Sequence, residues 1–222
     1  MRSHALYLPM APTLVAASVG VLLAAALLGP AFDRRSVAIV VLAAVAPSLD
    51  AALSLVVHGA TNAAFHTLVL PGLAAIAVYW DVSLRESSWI RDRWGWQGVR
   101  TAWVAIAAYA VVGIGLALFV GEGANLFYPI HDRFYAVDGR LLLSSDTGVE
   151  QTYLTLGDPG SPALDSPGTT ADHHVASWIN PTPGTGLERG VDRRIALVEA
   201  GWQVALVAAA AVVLAVRGRE GS

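Results

Sequence analysis

A chain of 222 residues with 55% apolar and 14% charged side chains, and a mean hydropathy of +0.55, is too apolar for an ordinary soluble domain and reads as a polytopic membrane protein. It contains no cysteine, which excludes disulfide frameworks, cysteine-ligated zinc, iron–sulfur clusters and thiol catalysis. All fourteen basic residues are arginine, seventeen acids oppose them, and the net charge of −3 gives no support to nucleic-acid binding.

Residues 9 to 29 are nearly uniformly apolar and long enough to span about 30 Å of hydrocarbon, which predicts a first membrane helix. A secretory signal is the competing reading, because Arg2 precedes the run and small residues end it. The length of the run and the Arg34-Arg35 pair that follows favour the helix. After Gly29-Pro30, a second helix is expected from about Ser36 to Val57, kinked at Pro47 and carrying Asp50 about two turns before its end. His58-Gly59-Ala60 reads as a tight turn, with Gly59 suited to a left-handed cap and Thr61 to the next N-cap. A third helix is expected from Thr61 to about Tyr79, then an amphipathic Trp- and Arg-rich interfacial loop over residues 81–100. The fourth helix, Thr101 to Val120, has Tyr109 as the one notably polar side chain of its centre.

Residues 121–193 change character: Gly, Pro, Ser, Thr and Asp dominate, and eleven of the seventeen acids lie between Glu122 and Glu199. Within them, residues 139–154 read as a β-hairpin turning at Asp146-Thr147-Gly148, and the prolines of residues 157–187 predict a loose surface loop. A fifth helix is expected from Ile195 to Val216, closed by Arg217 and Arg219. The expected fold class is thus an all-α polytopic membrane protein of about five transmembrane helices, with an extramembrane loop bearing a short hairpin. Its parts are a four-helix region (1–120), the acidic loop (121–193) and a C-terminal helix with a short tail (194–222). Arg34, Arg35, Arg85, Arg91, Arg93, Arg100, Arg217 and Arg219 collect on one side, which the positive-inside tendency makes cytoplasmic. The N-terminus and residues 121–193 then face outward from a cell-membrane protein whose C-terminus is cytoplasmic. The expected partners are the lipid bilayer and, through 121–193, a membrane protein or a second copy of the chain.

An ionisable side chain inside an apolar run is by default a candidate functional residue, because it is expensive in hydrocarbon. Asp50, His58 and His66 stand out on that ground. If the second and third helices pack antiparallel, Asp50 lies ~12 Å and His66 ~9 Å below the turn, from the rise of an α-helix. Glu199 enters the fifth helix from the same face, and His131, Asp132, His173 and His174 lie on the outer side with His4. Imidazole and carboxylate together are ligands for a divalent metal such as zinc or manganese. Bland readings stand beside this one. Asp50 can cap the kink or bond Ser54, His58 suits a helix C-terminus, and His66 can bond Asn62 or Asp50 without metal. Glu199 can snorkel to the interface, and His173-His174 can be solvated loop.

Three stretches carry a resemblance. They are Ala46-Pro47-Ser48-Leu49-Asp50; His58-Gly59-Ala60-Thr61 with Phe65-His66-Thr67; and Leu126 to Tyr135 leading to Gly139-Arg140-Leu141-Leu142-Leu143-Ser144. Together they resemble the predicted membrane-bound metal-dependent hydrolases, the family that includes the LexA-regulated inner-membrane hydrolase, and especially its haloarchaeal branch. Such proteins carry a Pro-Asp-x-Asp element, a His-Arg-x-x-Thr-His-Ser element and a later Ser-His-x-x-x-Asp element. The resemblance matches Asp50 to the second Asp of the first and His58 to the first His of the second, with Phe65-His66-Thr67 at altered spacing. Ser48 replaces the first Asp, Gly59 replaces the Arg, and the fourth helix holds no His or Asp for the third element.

Two functions follow. One is a membrane-embedded metal-dependent hydrolase of an ester or phosphoester at the membrane interface. In it Asp50 and His66 are catalytic and Asp50, His58 and His66 are metal ligands, with Glu199, His131 and Asp132 as secondary candidates. The alternative is a non-catalytic, hydrolase-like membrane protein with a structural or interaction role. Transport has little support, because few polar residues line the helices and no inverted repeat is visible.

Overall fold

The computed structural model describes residues 13–119, 123–137, 141–144, 148–151, 167–182, 184–191, 193 and 197–220. His4 and the start of the expected first helix lie outside them. The fold is helical. Three helices are long and apolar enough to cross a membrane by length and composition: Arg34–Leu53 with 20 residues, Trp89–Leu118 with 30 and Gly201–Arg219 with 19. Two further apolar helices, Thr13–Leu27 and Val69–Leu84, are shorter over the described residues.

Helix α1 (Thr13–Leu27) and α2 (Arg34–Val45) form an antiparallel pair, and Asp33 caps α2 by accepting from the N–H groups of Arg35 and Ser36. Gly20 and Ala44 let the two backbones approach closely, as small residues do between membrane helices. Pro47 ends α-helical geometry at Val45. A 3₁₀ turn over Ala46–Leu49 follows, then a single α-turn, α3 (Asp50–Leu53). The apolar core joins α1, α2, α5 (Trp89–Ala107) and Ala210 of α7 (Gly201–Glu220) around Val21, Ala24, Leu28, Val40, Val104 and Ala108.

Several boundaries differ from the sequence expectation, each for a local reason. The third helix begins at Val69, not Thr61: α4 is Val69–Tyr79. Asn62 has φ +54, and the Leu68 N–H and Thr67 hydroxyl both donate to the Leu126 carbonyl, so residues 61–68 are tied to a distant segment. Residues 81–84 and 89–100 are helical rather than loop, with a short turn at 85–88 between them. A π turn (Trp80–Leu84) leads to α5, whose first turn is held by Asp81 through Ser88 Oγ at 2.7 Å and the N–H groups of Trp89 and Ile90. Continuing past α5, a π segment (Ala108–Ile114) and α6 (Gly115–Leu118) complete the longest helix. The last helix starts at Gly201, six residues after Ile195.

In the 121–193 segment, β1 (Leu141–Ser144) pairs antiparallel with β2 (Gly148–Gln151), Leu141 opposite Gln151. The connecting residues 145–147 and residues 152–166 lie outside the described residues. The described remainder of the expected loose loop is docked. Phe134 is fully buried with Val175 and Ala63, Asn180 reaches Ser54, and the Gly186 N–H donates to the Leu55 carbonyl at 2.7 Å. Residues 123–137, 167–182 and 184–191 therefore form a cap on the strap of residues 54–68.

Candidate functional site

The site begins with the break that Pro47 imposes. By stopping α2, it turns the last two turns of the helix so that the Asp50 side chain is wholly enclosed, at 0% exposure. Ser54 ends the helix by donating to the Ala51 carbonyl at 2.7 Å. The strap then folds back. Gly59, at φ +69, takes a left-handed conformation as the sequence predicts, and a Cβ there would collide with the Thr170 carbonyl of the cap. Asn62 donates to the Gly123 carbonyl at 2.9 Å and accepts from the Asn125 N–H at 2.8 Å. These bonds hold His66 against the helix end.

His66 Nδ1 lies 2.6 Å from Asp50 Oδ2, and both residues are buried. With Asp50 ionised the carboxylate can only accept, and Nδ1 then carries the proton of this bond. No hydrogen-bond partner of His66 Nε2 occurs among the described residues. Asp50 Oδ1 is a buried acceptor outside hydrogen-bonding geometry, with the N–H groups of Asn62 and Ala51 facing the carboxylate. Thr61 Oγ1 is likewise buried and unpartnered, so Thr61 is not the N-cap that the sequence suggests. Tyr109 donates to the Phe65 carbonyl at 2.6 Å, bracing the strap beside His66 from the centre of the longest helix. Beside the pair, an apolar groove of about 370 Å³ runs between the helices, lined by Leu49, Phe65, Leu70, Ala74, Ile106 and Tyr109 among others.

The remaining candidates lie elsewhere. His58 is exposed on the strap, within the electrostatic reach of His174. His131 is exposed, its ring 6.5 Å from that of Tyr135. Asp132 is a cap anchor, accepting from Asn125 Nδ2 at 2.6 Å and from the Thr170 hydroxyl at 2.6 Å and N–H at 3.1 Å. Burial raises its pKa, but those donors outweigh burial and hold it below the ordinary carboxylate value. Glu199 is exposed and precedes α7 rather than lying inside it, its N–H donating to Gln203 Oε1 at 2.7 Å. His173 and His174 are not solvated loop: both are half-buried, and the His173 ring packs edge-on to Phe134 at 4.8 Å.

Among the described residues no group of three or more His, Cys, Asp or Glu is placed to hold a metal ion. Asp50 bonds the inner nitrogen of His66, while His58 lies exposed on the strap, so Asp50 and His66 are brought together and His58 is not grouped with them among the described residues. What the fold and site define is a helical, membrane-type protein with a capped, buried Asp–His pair. Against known protein families, curated proteins and solved structures, the chain has no match.

The sequence singled out both members of the pair and Tyr109. It gave no comparable sign of Asn125 and Asn180, fully or almost fully buried residues that anchor the cap. In a segment rich in small polar residues, an anchoring asparagine looks like any other.

Proposed function

We propose that this protein is a multi-pass membrane hydrolase in which Asp50 and His66 act as an acid–base pair on an ester or phosphoester at the outer membrane interface. The observation that carries this reading is the 2.6 Å bond between a fully buried carboxylate and an imidazole whose other nitrogen has no partner among the described residues. In an Asp–His arrangement the carboxylate fixes the tautomer and stabilises the imidazolium that forms. Nε2 removes a proton from water as the water oxygen bonds to the carbonyl carbon or phosphorus. The same proton then passes from Nε2 to the departing alkoxide, which leaves as the alcohol. Thr61 Oγ1 and Asp50 Oδ1 offer further polar contacts, and the apolar groove suits the acyl chain of a lipid-like substrate. No step is assigned to a metal. The reading includes five membrane passes, with α1 and α4 joining the three long helices, and it is consistent with the resemblance of the Asp50–His66 segment to membrane-bound hydrolases.

The test is hydrolysis of p-nitrophenyl esters and bis-p-nitrophenyl phosphate by the purified protein in detergent. Wild-type turnover that falls roughly 10²–10⁴-fold in Asp50→Asn and His66→Gln is the expected result, the range typical of general acid–base catalysis. Equal turnover in all three overturns the assignment. A second reading, a hydrolase-like protein without catalysis, is favoured by Ser48 and by the lack of a three-donor group among the described residues. It expects no turnover in any of the three and lower thermal stability in both variants.

A further inference from the structure

We propose that His174 is a proton-operated latch: as the neutral imidazole it lets residues 167–182 and 184–191 close on the strap of residues 54–63, and protonation releases that contact. The geometry is that of an interface with one ionisable ring set into it. On one flank, Thr170 donates to Asp132 and abuts Gly59. Next to the ring, Val175 packs with Ala63 and Phe134, and Phe134 carries the His173 ring on its edge. On the other flank, Asn180 Nδ2 donates to the Ser54 carbonyl and to Ser54 Oγ, each at 3.2 Å. His174 Nε2 lies in this interface buried and without a hydrogen-bond partner. A proton there would put a positive charge on a buried atom that makes no hydrogen bond in the closed arrangement, which a closed interface penalises and an open, hydrated one does not.

The groups facing the ring reinforce this. Burial is the largest influence lowering the His174 pKa, followed by the positive charges of His58 on the strap and His173 beside it, while the Asn180 carbonyl works in the opposite direction. No carboxylate offsets them among the described residues; Asp172 and Asp132 act on His173 and Thr170 instead. The sign follows. The closed state holds His174 below its ordinary value of 6.5 and the open state does not, so closure is fully favoured above about pH 6.5 and weakens as pH falls toward the lowered value. Asp132 behaves differently. Its lowered pKa keeps it ionised and bonded to Thr170 until pH drops through the carboxylate range. A transition near pH 6 therefore belongs to histidine. The strap that the latch holds down carries His66, so release changes access to the buried pair, but the latch is independent of whether that pair is catalytic.

The absence of cysteine makes a clean probe available. Ala63, at 0% exposure, is replaced by cysteine, and Ile130, at 80% exposure, serves as the reference in a separate Ile130→Cys protein. Maleimide labelling rates in detergent are taken as the ratio of the two, which removes the intrinsic pH dependence of the thiol. One proton linked to opening raises the ratio by up to about tenfold from pH 7.5 to 5.5. The rise is expected to vanish in His174→Asn and His174→Phe and to persist in His58→Asn. A flat ratio in the native background, an undiminished rise in the His174 variants, or its loss in His58→Asn overturns the proposal. Hydrogen exchange of residues 54–63 in the unsubstituted chain provides the same readout should Ala63→Cys disturb the cap, with each rate divided by the intrinsic amide rate at the same pH: a lower protection factor at pH 5.5 than at pH 7.5 supports the latch, and an unchanged protection factor overturns it.

Discussion

Asn180 holds the cap to the end of the Arg34–Leu53 helix with a single amide. Its Nδ2 reaches the Ser54 carbonyl, the Ser54 hydroxyl and the Gly184 carbonyl, the last at 2.9 Å, in a site where it retains 2% exposure. Removing the donor leaves those buried acceptors without it, and a stranded buried polar group costs more than the bond it loses. Asn180→Ala is expected to lower stability by about 1–3 kcal/mol, read from thermal unfolding in detergent. Asn180→Asp places carboxylate oxygens where the donor stood and should do no better. The contrast with Asp50 and His66 shows what is legible at this scale. A carboxylate and an imidazole inside an apolar run announce themselves by what burial costs, and a hydrogen bond between them without metal is one of the readings the sequence allows. Asn180 sits among prolines, glycines and threonines, where burial is decided by partners far away in the chain. Local composition gives no such signal.

The helices show the same division at the level of elements. Apolar runs and the prolines that break them are written locally, so the existence of α1, α2, α4, the long Trp89–Leu118 helix and α7 follows from the sequence. The start of α4 does not, because Thr67 and Leu68 are claimed by the Leu126 carbonyl and Asn62 by Gly123, bonds that residues 61–68 cannot reveal. Nor does the helical state of residues 89–100, where the Asp81 carboxylate supplies a cap from eight and nine residues back. The π segment of the longest helix carries another non-local requirement. A Cβ added to Gly113 would sit 2.6 Å from Pro47 Cγ and 2.9 Å from the Ala44 carbonyl, so this glycine lets the helix lie against the break that positions Asp50. Gly113→Leu is expected to cost about 1–3 kcal/mol through overpacking. It should also depress any Asp50- and His66-dependent turnover by displacing the 46–49 turn. Gly72→Leu, with nothing within 4 Å of its Cβ position, is the matched control and should leave both thermal stability and turnover near wild type.

For the whole molecule, the placing of the arginines at one end of the bundle bears on which end faces the cytoplasm. Arg35 lies over the Trp94 ring, Arg217 over the Phe32 ring, and Arg100 Nε donates to the Leu27 carbonyl at 2.7 Å. These contacts gather arginines from three stretches of chain at the end of the bundle where α1 stops and α2 starts. The cap lies at the other end of the Arg34–Leu53 helix, tied to Ser54 and the strap. Arginine gathered beside short connections favours the cytoplasmic side, whereas the arginines of a long segment such as 121–193 carry little weight in that balance. An outward-facing cap is the orientation this balance predicts, and in that orientation the His174 interface would meet external pH. Single cysteines introduced into the otherwise cysteine-free chain test this directly. In intact cells, a membrane-impermeant maleimide is expected to label Ile130→Cys on the cap and to spare Ser87→Cys in the exposed turn before α5, with both labelled once the cells are lysed. Labelling of Ser87→Cys alone in intact cells reverses the orientation. It would also move the Asp50–His66 pair to the cytoplasmic interface, where its substrate would have to come from the inner leaflet.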